Sequence, residues 1–312
     1  MPNAKPTDHE VVSQLSTIRD FLRWGLSEFR DAKLAHGHGT TSALDEAAFL
    51  ILETLHLPIN DINPWLDAKL LEGERQALAA IIRRRVETRA PAAYLVKRAY
   101  IHGLSFHVDE RVIVPRSYIG ELMFSGIFGG DEAPLIEDVS NVTSVLDLCT
   151  GSGCLAIIAA QIFPDAEIDA ADLSPDALEV ARINLDEHDV EDRVSLLEGN
   201  LFEAAEGRTY DLIISNPPYV AEGEVEAFPR EYQHEPVMAH IGGEDGLDLV
   251  RRILAEAPAH LNPGGGLLCE VGTGRERLID EFPQLDFLWL DTEESEGEVF
   301  WITREQLLEL QG

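Results

Sequence analysis

In this 312-residue chain, the residues best suited to chemistry by type and spacing are Asn216-Pro217-Pro218-Tyr219. They follow an apolar run, Tyr210-Asp211-Leu212-Ile213-Ile214-Ser215, with the make-up of a strand. Two successive prolines fix φ and remove two backbone donors. The Asn216 side-chain oxygen and the Pro217 carbonyl are then free to act as acceptors facing one small space. A planar –NH2 group has two hydrogens to offer such a pair. An amide or exocyclic amine held there presents its nitrogen to an electrophile, and the chemistry implied is methyl transfer to that nitrogen.

Three other strand ends could complete a site. Val145-Leu146-Asp147-Leu148-Cys149-Thr150-Gly151-Ser152-Gly153 puts two glycines at a strand-to-helix turn, where they let the backbone take φ > 0 and approach a ligand. A tight turn without a ligand would use them equally well. The three-glycine phosphate fingerprint is not met, because Thr150 stands three places before Gly153. A second strand ends at Asp172, which suits both hydroxyls of a ribose. It also stands just before a helix start, with Leu173 next, Ser174 as cap and Pro175 in the first turn. A third ends Glu198-Gly199-Asn200-Leu201-Phe202. There Asn200 suits an adenine edge and Phe202 its face, and either serves equally as a turn residue. His234-Glu235 reads as structural, His36-Gly37-His38-Gly39 as a polar loop rather than a metal site, and Cys149 and Cys154 as small buried fillers.

The elements that must position these residues fall into three stretches. Residues 1–98 read as a helical domain. Helical spacing runs over 11–29, a second helix over 43–55 follows Thr40-Thr41-Ser42, and a third covers 72–89. Residues 99–117 read as a linking β-hairpin, with 100–108 pairing 111–114. From 118 to 312 strands and helices alternate. Strands are expected at 144–149, 166–172, 193–198, 210–215, 266–271, 287–291 and 299–303, and helices at 153–162, 175–188, 247–257 and 275–281. That pattern implies an α/β fold with a doubly wound, mostly parallel sheet. The last two strands leave no room for a helix between them, so an antiparallel edge strand is expected at the C-terminus.

Composition narrows the function classes. Hydrophobic residues make up 45% of the chain, enough for a substantial core. No run of 18 apolar residues and no apolar leader is visible, and three cysteines form no paired framework. These features fit a cytoplasmic protein with neither a membrane span nor structural zinc. The net charge of −33 argues against direct nucleic-acid binding and favours a basic protein partner. Only Lys5, Lys33, Lys69 and Lys97 among 24 basic residues are lysine. Such acid-rich, lysine-poor usage fits a salty cytoplasm, as does simple lineage drift.

Asp147 with Gly151 and Gly153, then Asp172, then Asn216-Pro217-Pro218-Tyr219, in this order, resembles the S-adenosylmethionine-dependent methyltransferases with a Rossmann-like sheet. Arg89-Ala90-Pro91-Ala92-Ala93-Tyr94-Leu95 and Val114-Pro115-Arg116-Ser117-Tyr118-Ile119-Gly120-Glu121-Leu122 are similar to the protein-glutamine N5-methyltransferases. His234-Glu235-Pro236, Gly246-Leu247-Asp248-Leu249 and Cys269-Glu270-Val271-Gly272 resemble the branch that modifies the third protein of the large ribosomal subunit. The release-factor branch has a glycine where this chain has Cys149. Asn200 stands where the family commonly has aspartate, and Trp301 is bulkier than the family pattern leads one to expect.

The resemblance implies a seven-stranded methyltransferase sheet, S-adenosyl-L-methionine as cofactor and a large-subunit ribosomal protein as partner. The cofactor would be held by Asp147, Thr150, Gly151, Gly153, Asp172, Leu173, Asn200, Leu201 and Asn216. The substrate would be held by Asn216, Pro217, Pro218, Tyr219, Arg116 and Glu121, with Asn216, Pro217 and Tyr219 acting in catalysis. Two other substrates suit the same acceptor pair: a release-factor glutamine, and an adenine N6 flipped out of a nucleic acid. A non-enzymatic chaperone for a basic protein would leave 216–219 unexplained.

Overall fold

In the computed structural model, which describes residues 6–130, 134–292 and 295–309, the strand–helix alternation closes into one seven-stranded sheet. Residues 1–5, which include most of the segment read as lacking an apolar leader, lie outside the described residues. A two-stranded hairpin, β1 (Ala99–Ile101) and β2 (Leu104–Phe106), precedes the sheet. The sheet comprises β3 (Ser144–Leu148), β4 (Glu167–Asp172), β5 (Val194–Glu198), β6 (Tyr210–Ser215), β7 (Leu261–Glu270), β8 (Leu288–Asp291) and β9 (Glu296–Thr303). Their order is β5-β4-β3-β6-β7-β9-β8. Strands β3 to β7 pair in parallel, and β9 runs antiparallel to both β7 and β8. The antiparallel strand therefore lies inside the sheet, and β8 takes the edge expected for it.

Alternation along the strands explains the two cores. On β3, Val145 joins one apolar cluster and Leu146 the other; on β6, Leu212 and Ile214 face one side and Ile213 the opposite side. β7 repeats the pattern, with Leu268 in one cluster and Leu267 and Cys269 in the other. Side chains at i and i+2 share a face, so a strand buried on both faces must be apolar throughout. The helix Cys154–Ile162 belongs to the first cluster and Asp248–His260 to the second.

The chain divides into two compact units: Met1–Arg98 with Pro229–His234, and Ala99–Phe228 with Glu235–Gly312. In the first unit the single helix expected over 11–29 is two, Asp8–Gln14 and Ile18–Asp31. Thr17 interrupts it. Its hydroxyl accepts from the Asp20 N–H, while the Asp20 carboxylate accepts from the Ser16 and Thr17 N–H groups, each at 3.0 Å. This capping box satisfies donors that a continuous helix would have used internally. Helices Ala43–Thr54, Glu72–Thr88 and Ala92–Val96 complete the unit around Phe21, Trp24, Leu50, Ile51, Leu78 and Ile82. Within it Arg85 is fully buried and pairs with Glu46 at 2.8 Å, and Arg89 pairs with Glu231 at 2.6 Å. His36 lies 3.5 Å from Glu46, and the His38 ring lies 4.2 Å from that of Tyr232.

The hairpin is tighter than the sequence pattern implies. His102 and Gly103 both take left-handed backbone, at φ 47° and 82°, which makes a two-residue turn. Residues 111–114 therefore form no strand. No helix among the described residues is long and apolar enough to cross a membrane.

The bulk of Trp301 has a local explanation. It is nearly buried on β9, and a Cβ added at Gly266 on β7 would overlap its indole. The glycine makes room for the ring. Gly266→Ala is expected to destabilise the protein by about 1–3 kcal/mol through overpacking, read from urea unfolding. Adding Trp301→Phe should recover part of that loss. A neutral Gly266→Ala would show that the indole has slack.

Candidate active site

The strand order reverses between β3 and β6: β4 and β5 extend to one side, β6 and β7 to the other. At such a switch point the connections leave in opposite directions and open a crevice beyond the carboxyl ends of the strands. The crevice is a cavity of about 130 Å³. Cys149 and Gly151 enter it after β3, Asp172, Leu173 and Ser174 at the end of β4, Gly199, Asn200 and Leu201 after β5, and Asn216 and Pro218 after β6. Arg111, Val112, Ile113, Pro236, Met238 and Leu249 complete most of the remaining wall.

Seven of the site residues expected from sequence thus border one space: Gly151, Asp172, Leu173, Asn200, Leu201, Asn216 and Pro218. Gly151 has φ +56°, and a Cβ there would meet nothing within 4 Å, so its backbone faces open space. Its N–H donates to Asp172 at 2.8 Å, and the Ser174 N–H reaches the other carboxylate oxygen at 2.8 Å. Asp172 therefore serves the turn and the cavity together. Burial raises its carboxyl above the usual range, against these two donors.

Asp147, Thr150 and Gly153 stand behind the lining. One Asp147 oxygen accepts from the Thr150 hydroxyl and the Ala156 N–H, tying the turn to the start of its helix. The other is buried without a hydrogen-bond partner. Gly153 has φ +79°, and a Cβ there would press on Ala181 at 3.2 Å, so a glycine is needed for the turn to pack on the next helix.

The remaining expected residues are not brought to the cavity. Pro217 is buried and does not line it. Tyr219 donates its hydroxyl to Glu270 at 2.8 Å. Arg116 forms a two-armed pair with Glu235, at 2.7 and 2.8 Å, and Glu121 lies in the first turn of the helix Tyr118–Phe124. Glu235 also accepts from the Val114 N–H at 2.9 Å and lies 3.2 Å from His240, which gives it the structural role expected. Phe202 corrects an expectation: it is buried in the core against His260, ring centres 4.6 Å apart, and does not face the cavity. The Asn200 side-chain oxygen accepts from Arg252 at 3.0 Å, so toward a ligand its amide N–H groups are what it has to offer.

Two features escaped sequence reasoning. Cys149 and Leu201 both border the cavity with left-handed backbone, φ 61° and 54°. Each costs on the order of 1–2 kcal/mol for a residue with a side chain, and no residue type announces it. The other is Glu270, fully buried at the end of an apolar strand. A lone acid in such a strand was the available signal.

A doubly wound sheet with its cavity across the switch point is the architecture of a Rossmann-like methyltransferase, and residues 132–230 match the methyltransferase small domain family. The likeness sharpens over nearly the whole chain. It is 54% identical to the ribosomal protein uL3 glutamine methyltransferase of Bradyrhizobium diazoefficiens, over 94% of this chain and 92% of that one. The proteins of the same name from Bordetella pertussis (50% identity, 94% and 97% coverage) and Neisseria meningitidis serogroup B (52%, 96% and 97%) are comparably similar. The chain belongs to this family of glutamine methyltransferases.

Burial without a neutralising cation raises the Asp147 carboxyl from 3.8 to about 7. A raised carboxyl holds its proton more tightly folded than unfolded. Its contribution to stability is therefore present below the unfolded value and lost as pH rises from about 4 to about 7. The urea midpoint of the ligand-free protein should decline across that window, and Asp147→Asn should decline less. An identical slope in the variant would show that Asp147 does not titrate there.

Proposed function

We propose that this protein transfers a methyl group from S-adenosylmethionine to the side-chain amide nitrogen, N5, of a glutamine in ribosomal protein uL3. The observation that carries this reading is identity above 50%, over nearly the full length of both chains, to a protein named for that reaction. The Asn216-Pro217-Pro218-Tyr219 segment at the end of β6 supports it, with Asn216 bordering the cavity. So does the charge of −33, which steers a basic ribosomal protein toward the surface.

The residues present fit the cofactor. Asp172 keeps lone pairs beyond its two backbone donors and would accept from the ribose hydroxyls. Gly151 leaves backbone open at the cavity wall, Leu173, Leu201, Ala177 and Leu249 supply apolar surface for a purine, and the Asn200 amide N–H groups would meet its edge. When bound, S-adenosylmethionine supplies a methyl group made electrophilic by its sulfonium sulfur.

The chain's own residues then have a limited task. A carboxamide nitrogen is a weak nucleophile because its lone pair is shared with the carbonyl. The Asn216 oxygen and the Pro217 carbonyl would accept its two N–H bonds, orient the nitrogen and stabilise the positive charge that grows on it. Such preorganised acceptors are worth a few kcal/mol each, and alignment adds more. No strong base is required, since the methylated amide gives up its proton readily to water. The helical unit would dock the protein substrate, and Arg116 and Glu121 would contribute to substrate binding. A ribosomal substrate implies action in the cytoplasm.

Incubation with labelled cofactor and, separately, uL3, a release factor and DNA tests the reading. Label is expected in uL3; label in the release factor or DNA alone would replace the substrate class. Asn216→Ala should lower kcat by about 100- to 1000-fold, with cofactor Kd changed little in calorimetry. Unchanged turnover would remove the role given to this residue.

A further inference from the structure

We propose that Glu270 is a positioning residue for the transfer: its buried carboxylate fixes the Tyr219 hydroxyl and thereby holds the 216–219 turn in the conformation that presents its acceptors. This rests on the function proposed above. Glu270 closes β7, where its neighbours are Leu267, Leu268, Cys269 and Val271. A carboxylate at 1% exposure in that setting is costly unless its oxygens are used. They are used: one accepts from the Tyr219 hydroxyl at 2.8 Å, the other from the Ser117 hydroxyl at 2.7 Å and the Tyr118 N–H at 3.0 Å.

The rest of the segment is gripped by backbone. A Cβ at Gly272, φ +51°, would lie 2.6 Å from the Tyr219 ring. One at Gly242 would lie 2.5 Å from the Pro218 carbonyl. The ring and the Pro218 peptide therefore have fixed walls, and the hydroxyl is held by a hydrogen bond. Glu270 supplies that bond from the strand beside β6.

The bond can also be switched. Burial raises the Glu270 carboxyl to about 7, with Ser117, Tyr219 and Tyr118 opposing and Glu298 on β9 adding to the rise. Burial and the adjacent Glu270 charge push the Tyr219 phenol well above its ordinary value, so it stays protonated throughout. Arg116, the cation acting on Tyr219, is itself paired with Glu235. A proton taken up on the oxygen facing Tyr219 turns the phenol from donor to acceptor, whereas one on the oxygen shared by Ser117 and Tyr118 turns the Ser117 hydroxyl instead.

The test uses the full-length protein with uL3 as substrate, measuring kcat, KM and cofactor Kd between pH 5.5 and 9 for wild type, Glu270→Gln, Tyr219→Phe and the double variant. Wild-type kcat is expected to fall below pH ~7. Glu270→Gln should lower kcat at pH 8 by about tenfold, with cofactor Kd within about twofold, and make the acid limb shallower. Tyr219→Phe should do the same, and the double variant should lose no more than the worse single, because both act through one bond. Losses that multiply, or an acid limb unchanged in both single variants, would overturn the proposal. If Glu270→Gln fails to bind cofactor, Tyr219→Phe decides alone: it must make the limb shallower. Should wild type label a release factor or DNA instead, the function reading fails, and the same variants assayed on that substrate still decide the role of Glu270.

Discussion

The parallel sheet with both faces covered is the constraint from which the site follows. Side chains of β3 and β6 alternate into two apolar cores, so none of their mid-strand positions can meet a ligand. Chemistry is confined to strand ends, and the reversal of strand order between β3 and β6 leaves a gap there because the connections diverge. The residues around the gap carry signs of that crowding. Cys149, Gly151 and Leu201 all take left-handed backbone, two of them against the preference of a residue with a Cβ. Such conformations persist only where the surroundings dictate them, and here the dictating surroundings are a buried sheet on one side and an open cavity on the other.

Rigidity in the 216–219 segment has two sources, and they act on different atoms. The prolines restrict φ along the segment itself. Glycines on neighbouring loops then close against it: Gly242 against the Pro218 carbonyl, Gly246 against the Tyr219 carbonyl and Gly272 against the Tyr219 ring. Residues 220 and 241 are bridged in parallel, with the Val220 N–H donating to the His240 carbonyl at 2.8 Å and the Gly242 N–H returning to Val220 at 2.9 Å. Acceptors that must stabilise a growing charge work best when they need not move to do so. A loop packed by backbone on backbone meets that requirement better than one held by flexible side chains.

What the sequence reveals about this molecule divides along the same physical line. The strands and flanking helices of the sheet were legible to within a few residues because burial on both faces forces continuous apolar runs. β6 and the helix Arg275–Glu281 fall where expected to the residue. The errors lie where a local signal competes with a pattern. Thr17 and Asp20 break an apolar periodicity that runs on through them, and His102-Gly103 closes a hairpin earlier than the alternation suggests. At the site, residues that meet the cavity through backbone or strand-end position were readable, as with Gly151, Asp172 and Asn216. Partnerships between distant side chains were not. Nothing near Arg116 in sequence announces Glu235, and nothing near Tyr219 announces Glu270.

Those partnerships sort the buried acids into two kinds. Glu46, Glu235 and Glu231 each face an arginine, and for Glu46 and Glu235 a two-armed guanidinium repays part of the desolvation of both charges. Burial opposes ionisation of Glu46, yet the His36 hydrogen bond and the Arg85 charge outweigh it and hold its carboxyl below the usual range. Asp147, Asp172 and Glu270 have no basic side chain bonded to them among the described residues; their donors are neutral hydroxyls and backbone N–H groups, and burial raises all three. An acid neutralised by arginine has its charge balanced within the fold, which suits a role in architecture. An acid held only by neutral donors keeps both its charge state and its spare lone pairs responsive to what arrives beside it. Of the second kind, Asp172 borders the cavity, Asp147 stands behind its lining on β3, and Glu270 closes β7 beside β6.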